Sequence, residues 1–396
     1  MLDLFIRKEK DNKQIMLTDN GILVEHYNSK NIENRNEGNI FVGVVKNVLN
    51  SMEAAFVDIG TEKNSYIQAK DIIPQVDEKK VGKKDLSELN IKKLIRQNQK
   101  ILVQVRKDSN DLKGARISAH ITLPSKYVVF MPNTDIITIS QKITDKKEQD
   151  RLLKIVRENI GTNNGAVVRT SAVGKEQEII DDINRVKAEW EKIYQKFKNH
   201  KGNKPEKIYT CPSILEKMII DLPAQDIGRI ISNDKKELEN LQKYLKNDVE
   251  LAKVKFEFKK LEEIDETYDL QKQIEKNDKR KIWLKCGGFI TIDPTEALTA
   301  IDVNTGKFTE GKNYSDVIYK VNQQATIEIA KQIRLRDIGG IVIIDYIDMI
   351  RKGDKEKIQE LLKETLKKDR AKTQVEGFTR LDLMELTRKH ICSHKS

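Results

Sequence analysis

Cysteine is scarce in this chain: Cys211, Cys286 and Cys392 are odd in number and far apart. That argues against a disulfide framework and for a reducing compartment, so a cytoplasmic protein is expected. No Cys-x-x-Cys spacing occurs, and no zinc site can be read from the sequence. Long apolar runs are missing too, which argues against a membrane span, and the N-terminus lacks the apolar core of a signal peptide. Met1-Leu2-Asp3-Leu4-Phe5-Ile6 is too short for either and is followed by Arg7-Lys8-Glu9-Lys10. It reads as a first strand.

Charge is abundant. Lys and Arg total 73 against 62 Asp and Glu, a net charge of +11 over 396 residues. A basic surplus fits a polyanionic partner, because phosphate contacts release counterions. A charged fraction of 34% also describes an ordinary lysine-rich soluble protein, so charge alone carries little weight. The length exceeds one ordinary domain, and roughly two to four compact units are expected.

Residues 1–35 read as one or two strands with a turn at Asp19-Asn20-Gly21. Residues 36–119 hold five short β signals, NIFVGVVKNV, AAFVDIG, NSYIQ, ILVQVRK and ARISA, with a charged insertion around Asp77–Gln99. Short strands at that density suggest a small closed barrel of the OB type. Residues 120–213 mix strands with two helices. Leu152, Leu153, Ile155, Val156 and Ile160 mark the first, which stops at Gly161. Ile183, Val186, Trp190, Ile193, Tyr194 and Phe197 mark the second. Trp190 and Tyr194 could stack on bases, but aromatics at helical spacing are more often core, and packing is the reading taken. Residues 214–279 alternate helix and strand. Residues 280–396 read as an α/β unit: a hairpin at 288–305, a helix near 315–335, a strand at 340–347 and a helix near 354–369.

The α/β unit contains the most unusual pattern. GGFITIDPTEALTAIDVNTGK at 287–307 and GGIVIIDYIDM at 339–349 are apolar, β-branched runs that end in acidic residues. With period two, Ala300, Asp302 and Asn304 share one strand face, and Ile343, Asp345 and Ile347 share another. Charged groups ending hydrophobic strands need compensation. A divalent cation held by two carboxylates supplies it, can activate water and can stabilise a phosphoryl transition state. The ordinary role of such an Asp is a turn former or helix cap. Asp348 fits that role, as does Asp293, since Asp293-Pro294 reads as a turn with Thr295 as a cap. Asp302 fits it poorly, because Val303 and Asn304 continue the strand pattern past the charge.

These runs, together with AKQIRLRDIGGIVIIDYIDM at 330–349 and GFTRLDLMELTRK at 377–389, resemble the ribonuclease E/G family. FVGVVKNVLNSMEAAFVDIG at 41–60, KGARISAHITLPSKYVVFMP at 113–132 and VVRTSAVGK at 167–175 resemble it in the same order, so the similarity covers nearly the whole chain. The resemblance implies an α+β multidomain fold. An RNase H-like subdomain would be formed by 1–35 and 214–279. Inserted in it would be an S-one-type OB barrel at 36–119 and a 5′-sensor at 120–213. A DNase I-like catalytic subdomain would follow at 280–396.

The resemblance further implies that Asp302 and Asp345 bind Mg2+, with Mn2+ as a substitute, and that Asn304 completes the catalytic group. The expected activity is endonucleolytic cleavage of single-stranded RNA to 5′-phosphate and 3′-hydroxyl products, in rRNA processing and mRNA decay. Arg169 and Thr170 match a pocket for an RNA 5′-monophosphate, lined by Val129. The family's nearby glycine is Ser125 here, which puts a side chain where backbone should approach phosphate. Phe56 and Tyr66 match aromatics that stack on bases, and Lys113 a basic contact. The family follows a helix at the TRK segment with a Cys-Pro-x-Cys element that shares zinc between subunits. Only His390, Cys392 and His394 stand here, which argues against zinc and a zinc-linked dimer while leaving a homo-oligomer open. No scaffold tail is present, so a catalytic core is expected. A weakly catalytic RNA-binding scaffold is the alternative, and a DNA endonuclease a third reading.

Overall fold

The computed structural model describes residues 1–28, 35–72, 91–109, 113–245, 251–306 and 314–391. The fold is mixed α+β and divides into two compact units. One spans Asn34–Ser213, the other Met1–Glu33 with Ile214–Ser396.

In the first unit all five short β signals are strands. Ile40–Leu49, Ala54–Asp58, Ser65–Gln68, Arg116–Ser118 and Lys100–Lys107 pair in that order, and the last pairs back on the first. The result is a closed five-stranded, OB-like barrel. Alternation decides what fills it: Ala55, Val57 and Ile67 point inward with Val45, Val103, Val105 and Ile117. Most of the charged insertion at Asp77–Gln99 lies outside the described residues.

The same unit holds a four-stranded sheet in the order Ile137–Ile139, Asn164–Val168, Val128–Pro132, Leu123–Pro124. Helices Lys146–Ile160 and Gln177–Asn199 pack on it. The first begins where the Asp145 side chain accepts from the Lys147 amide, and it stops at Gly161, whose φ of 85° ends the helix. Trp190 and Phe197 pack against this core, and the Trp190 ring lies stacked on Tyr194 at 5.7 Å.

The second unit holds two sheets. One runs Lys255–Phe258, Ile227–Ser232, Leu2–Glu9, Asn12–Asp19, Ile22–Asn28, with the first strand of the chain parallel to Ile227–Ser232. The N-terminal segment thus forms three strands, not one or two. The additional reversal is a two-residue turn at Lys10-Asp11, where Lys10 takes a φ of 54° without a glycine to signal it.

The other sheet has six strands in the order Lys281–Trp283, Phe289–Pro294, Leu298–Asn304, Gly340–Asp345, Leu383–Arg388, Thr373–Phe378. Helices Tyr314–Leu335 and Asp354–Leu366 share its core, which includes Ile301, Val303, Ile344, Val321, Ile329 and Leu362. Two expectations are corrected here. Asp293-Pro294 ends a strand rather than making a turn, and Arg280 donates to the Asp293 carboxylate at 2.5 and 2.7 Å. The TRK segment is a strand, not a helix: Met384, Leu386 and Arg388 alternate inward. Arg388 can lie inside because it donates to Asp337 and Asp369, each at 2.7 Å. Among the described residues no helix is long and apolar enough to cross a membrane.

Candidate functional site

Leu298–Asn304 and Gly340–Asp345 lie side by side and parallel, with Asp302 directly opposite Asp345. Burial alternates along the first: Thr299, Ile301 and Val303 face the core, whereas Ala300 and Asp302 are exposed. The two apolar strands therefore carry one carboxylate each on the solvent face of the sheet. Asn304 lies on that face, and its amide donates to Asp302 Oδ2 at 2.5 Å.

Electrostatics mark the pair. The Asp345 carboxyl is held above its ordinary value, by partial burial first, then by the charges of Asp302 and Asp348. No third carboxylate, imidazole or thiolate joins the pair as a ligand cluster among the described residues. Two exposed, mutually repelling carboxylates with an amide beside them are a donor set that suits a hard divalent cation. Such a cation takes one or two carboxylates and keeps its remaining positions for water. The residues present fit that group.

Several residues that fix this geometry were not singled out in the sequence. Asn322 is fully buried; its amide donates to the Ile347 carbonyl at 2.7 Å, and its oxygen accepts from the Ile347 amide at 3.2 Å. It therefore fixes the backbone between Asp345 and Asp348. Thr326, one turn later, shares a 2.9 Å hydrogen bond with the buried Tyr346 hydroxyl. Polar residues on the buried stripe of a helix were the available signal. Gly288 and Gly306 close the other side. A Cβ at Gly288 would sit 2.9 Å from the Asn304 carbonyl, and Gly306 has a φ of +59°.

In the other unit, Val129 pairs with Val167, two residues before Arg169, so the two share a face. Arg169 is half-buried, and Thr170 is exposed at the start of a 3₁₀ turn. Part of the Arg169 fork is already used, since Nη1 donates to the Ser125 carbonyl at 2.8 Å. The Ser125 side chain is buried and turned away from solvent: its hydroxyl donates to Asp182 at 2.5 Å and accepts from Arg185 at 2.6 Å. Asp182 also takes the Tyr127 amide at 2.9 Å. This anchor was missed, although a carboxylate on the apolar stripe beside Ile179 and Ile183 was the clue. The VVRTSAVGK loop is pinned at its far end by Glu148, which accepts from the Gly174 amide at 2.8 Å. Arg151 and that amide lower the Glu148 carboxyl to about 2.

On the barrel, Phe56 and Tyr66 are cross-strand partners with rings 6.1 Å apart, edge to face. Both are half-buried and face away from the barrel core, so Phe56 is not core packing. The segment after the exposed Lys113 runs beside them, with the Tyr66 amide donating to the Ala115 carbonyl at 2.8 Å. At the other end of the chain, His390 Nδ1 lies 3.0 Å from the Asp337 carbonyl. Cys392 and His394 lie outside the described residues.

Residues 122–391 match the ribonuclease E/G family. A protein named ribonuclease G from Escherichia coli strain K12 is 35% identical over 395 residues, covering 98% of this chain and 79% of its own length. Ribonuclease G from Haemophilus influenzae is 33% identical over 393 residues, with 98% and 79% covered. A ribonuclease E from a Nostoc species is 34% identical over 360 residues, 89% of this chain and 51% of that protein. By the extent of both matches, the chain belongs to the ribonuclease E/G family.

Proposed function

We propose that this protein is a magnesium-dependent endoribonuclease that cleaves single-stranded RNA. The observation that carries the reading is the register of Asp302 against Asp345, with Asn304 on the same exposed face. A divalent cation bound there would neutralise charge on the scissile phosphate and make water a better nucleophile. The chain's own residues do the rest. Asp302 and Asp345 would hold the cation, and Asn304 places a neutral amide donor beside them. Water then attacks phosphorus in line with the P–O3′ bond, which breaks to leave a 3′-hydroxyl and a 5′-phosphate. Mn2+ is the expected substitute for Mg2+.

The remaining roles follow the same reading. Phe56 and Tyr66 present rings on the barrel surface, and single-stranded bases stack on such rings without sequence preference. Arg169 and Thr170, beside Val129, are the proposed 5′-monophosphate contacts, and Ser125 supports them through Asp182 rather than meeting phosphate itself. The substrates proposed are rRNA precursors and mRNA. Residues 1–35 with 214–279 are assigned to the RNase H-like part and 280–396 to the DNase I-like part.

The test is cleavage of a 5′-monophosphorylated and a 5′-hydroxyl single-stranded RNA, with and without Mg2+, by the unmodified protein and by Asp302→Asn and Asp345→Asn. Both variants should lose several orders of magnitude in rate and keep RNA binding. Near-normal turnover by either at saturating Mg2+ would refute the assignment.

A further inference from the structure

The exposed face of the six-stranded sheet continues beyond the carboxylates. Register places Lys281, Thr291, Asp302 and Asp345 in one row across four strands, and Trp283, Phe289 and Asn304 in the neighbouring row. Residues opposite one another in a sheet share a face, so both rows look the same way. Trp283 is 61% exposed, on an edge strand, on the open side of the catalytic sheet. Its ring meets Phe289 edge to face at 5.3 Å. Lys281 Nζ lies 4.3 Å from the Trp283 centroid and 3.5 Å from that of Phe289. The aromatic row is displaced from the carboxylate row by two residues, about 7 Å, along strands spaced about 4.8 Å apart.

We infer that Trp283, backed by Phe289 and Lys281, is a stacking platform for a base of the single-stranded RNA that flanks the scissile phosphate. The inference rests on the endoribonuclease reading. A large ring left open to water gains little from folding, whereas a nucleobase can cover it with an offset-stacked partner. Charge favours RNA as the occupant, since Lys281 holds its ammonium over the two rings, on a face that the strand's phosphates would cross. A second protein copy laid flat on this row would cover Asp302 and Asn304 and close the face that must admit substrate. Strand geometry also makes the platform rigid: Phe289 is the direct partner of Asn304, so the stacked base and the reacting phosphate are held by the same hydrogen-bonded ladder.

The experiment uses the full chain in EDTA with a short A/U-rich single-stranded RNA carrying a fluorescent label. Anisotropy of the label reports binding. The emission of the unmodified protein minus that of Trp283→Ala isolates Trp283 from Trp190, the other tryptophan. RNA should quench the isolated signal, and Trp283→Ala should raise KM roughly five- to hundred-fold, with Trp283→Phe restoring most of the loss. Binding by anisotropy with no change in Trp283 emission would overturn the platform and leave the nuclease reading intact. No binding by the unmodified protein would defeat both. Light scattering covers the rival occupant: a smaller assembly for Trp283→Ala with unchanged KM would mean that a second copy covers the ring.

Discussion

At Asp345 three effects act on one carboxyl group: partial burial, the charge of Asp302 across the strand pair and the charge of Asp348. All three disfavour the ionised form. A carboxyl raised in the folded state is neutral and without penalty below its unfolded value. It weakens the fold as pH rises through the raised folded value. Asp345→Asn should therefore raise the melting temperature in EDTA at neutral pH, and the gain should vanish as pH falls through the carboxylate range. Added Mg2+ should stabilise the unmodified protein and not the variant, because only the former has the pair. Thermal denaturation at two pH values, with EDTA or Mg2+, checks both statements. A variant that is no more stable than the parent in EDTA at neutral pH would show that repulsion is not stored at this position. The carboxylates themselves were legible in the sequence because charge interrupts an apolar alternation. Asn322 was marked only by its polar side chain on the buried stripe of a helix, which does not say which backbone it braces.

For whole elements, legibility followed how cleanly burial alternates. The barrel strands read directly, since Ala55, Val57 and Ile67 face inward and Phe56 and Tyr66 outward, and the single inward polar side chain on those two strands is the small Ser65. Leu383–Arg388 did not, because Arg388 occupies an inward position that an apolar residue would normally mark. Its burial depends on Asp337 and Asp369, which are remote in sequence. The turn at Lys10-Asp11 hid a strand boundary for a similar reason: no glycine marks its positive φ. The barrel's legibility gives a prediction for one strand. Tyr66→Ala should weaken single-stranded RNA binding by about 1–3 kcal/mol while barely moving the melting temperature, because the ring lies outside the core. A sharp fall in melting temperature with unchanged affinity, measured on the same preparation, would return Tyr66 to a packing role.

For the molecule, the larger question is what joins distant parts of the chain within the second unit, and sequence patterns said least about it. Glu25, on the strand Ile22–Asn28, is fully buried. Its carboxylate accepts from Arg334, on the helix Tyr314–Leu335 that packs on the six-stranded sheet, and from Arg370, each at 2.9 Å. Arg370 also donates to Asp221 at 3.2 Å and to the Tyr27 hydroxyl at 3.2 Å. Burial alone would push the Glu25 carboxyl up, yet the two guanidinium groups hold it below its ordinary value. Removing one partner of such a network leaves buried charges uncompensated, at about 3–5 kcal/mol. Glu25→Gln should therefore destabilise the unit that carries Asp302 and Asp345 by that amount. The sign of the pH dependence follows from the lowered carboxyl: the contribution is present above the unfolded value near 4.5 and is lost as pH falls through the folded one. Denaturant unfolding should show parent and variant converging in acid and far apart at neutral pH. A variant as stable as the parent at neutral pH would mean that apolar packing, not this ion network, holds the strand to the helix Tyr314–Leu335.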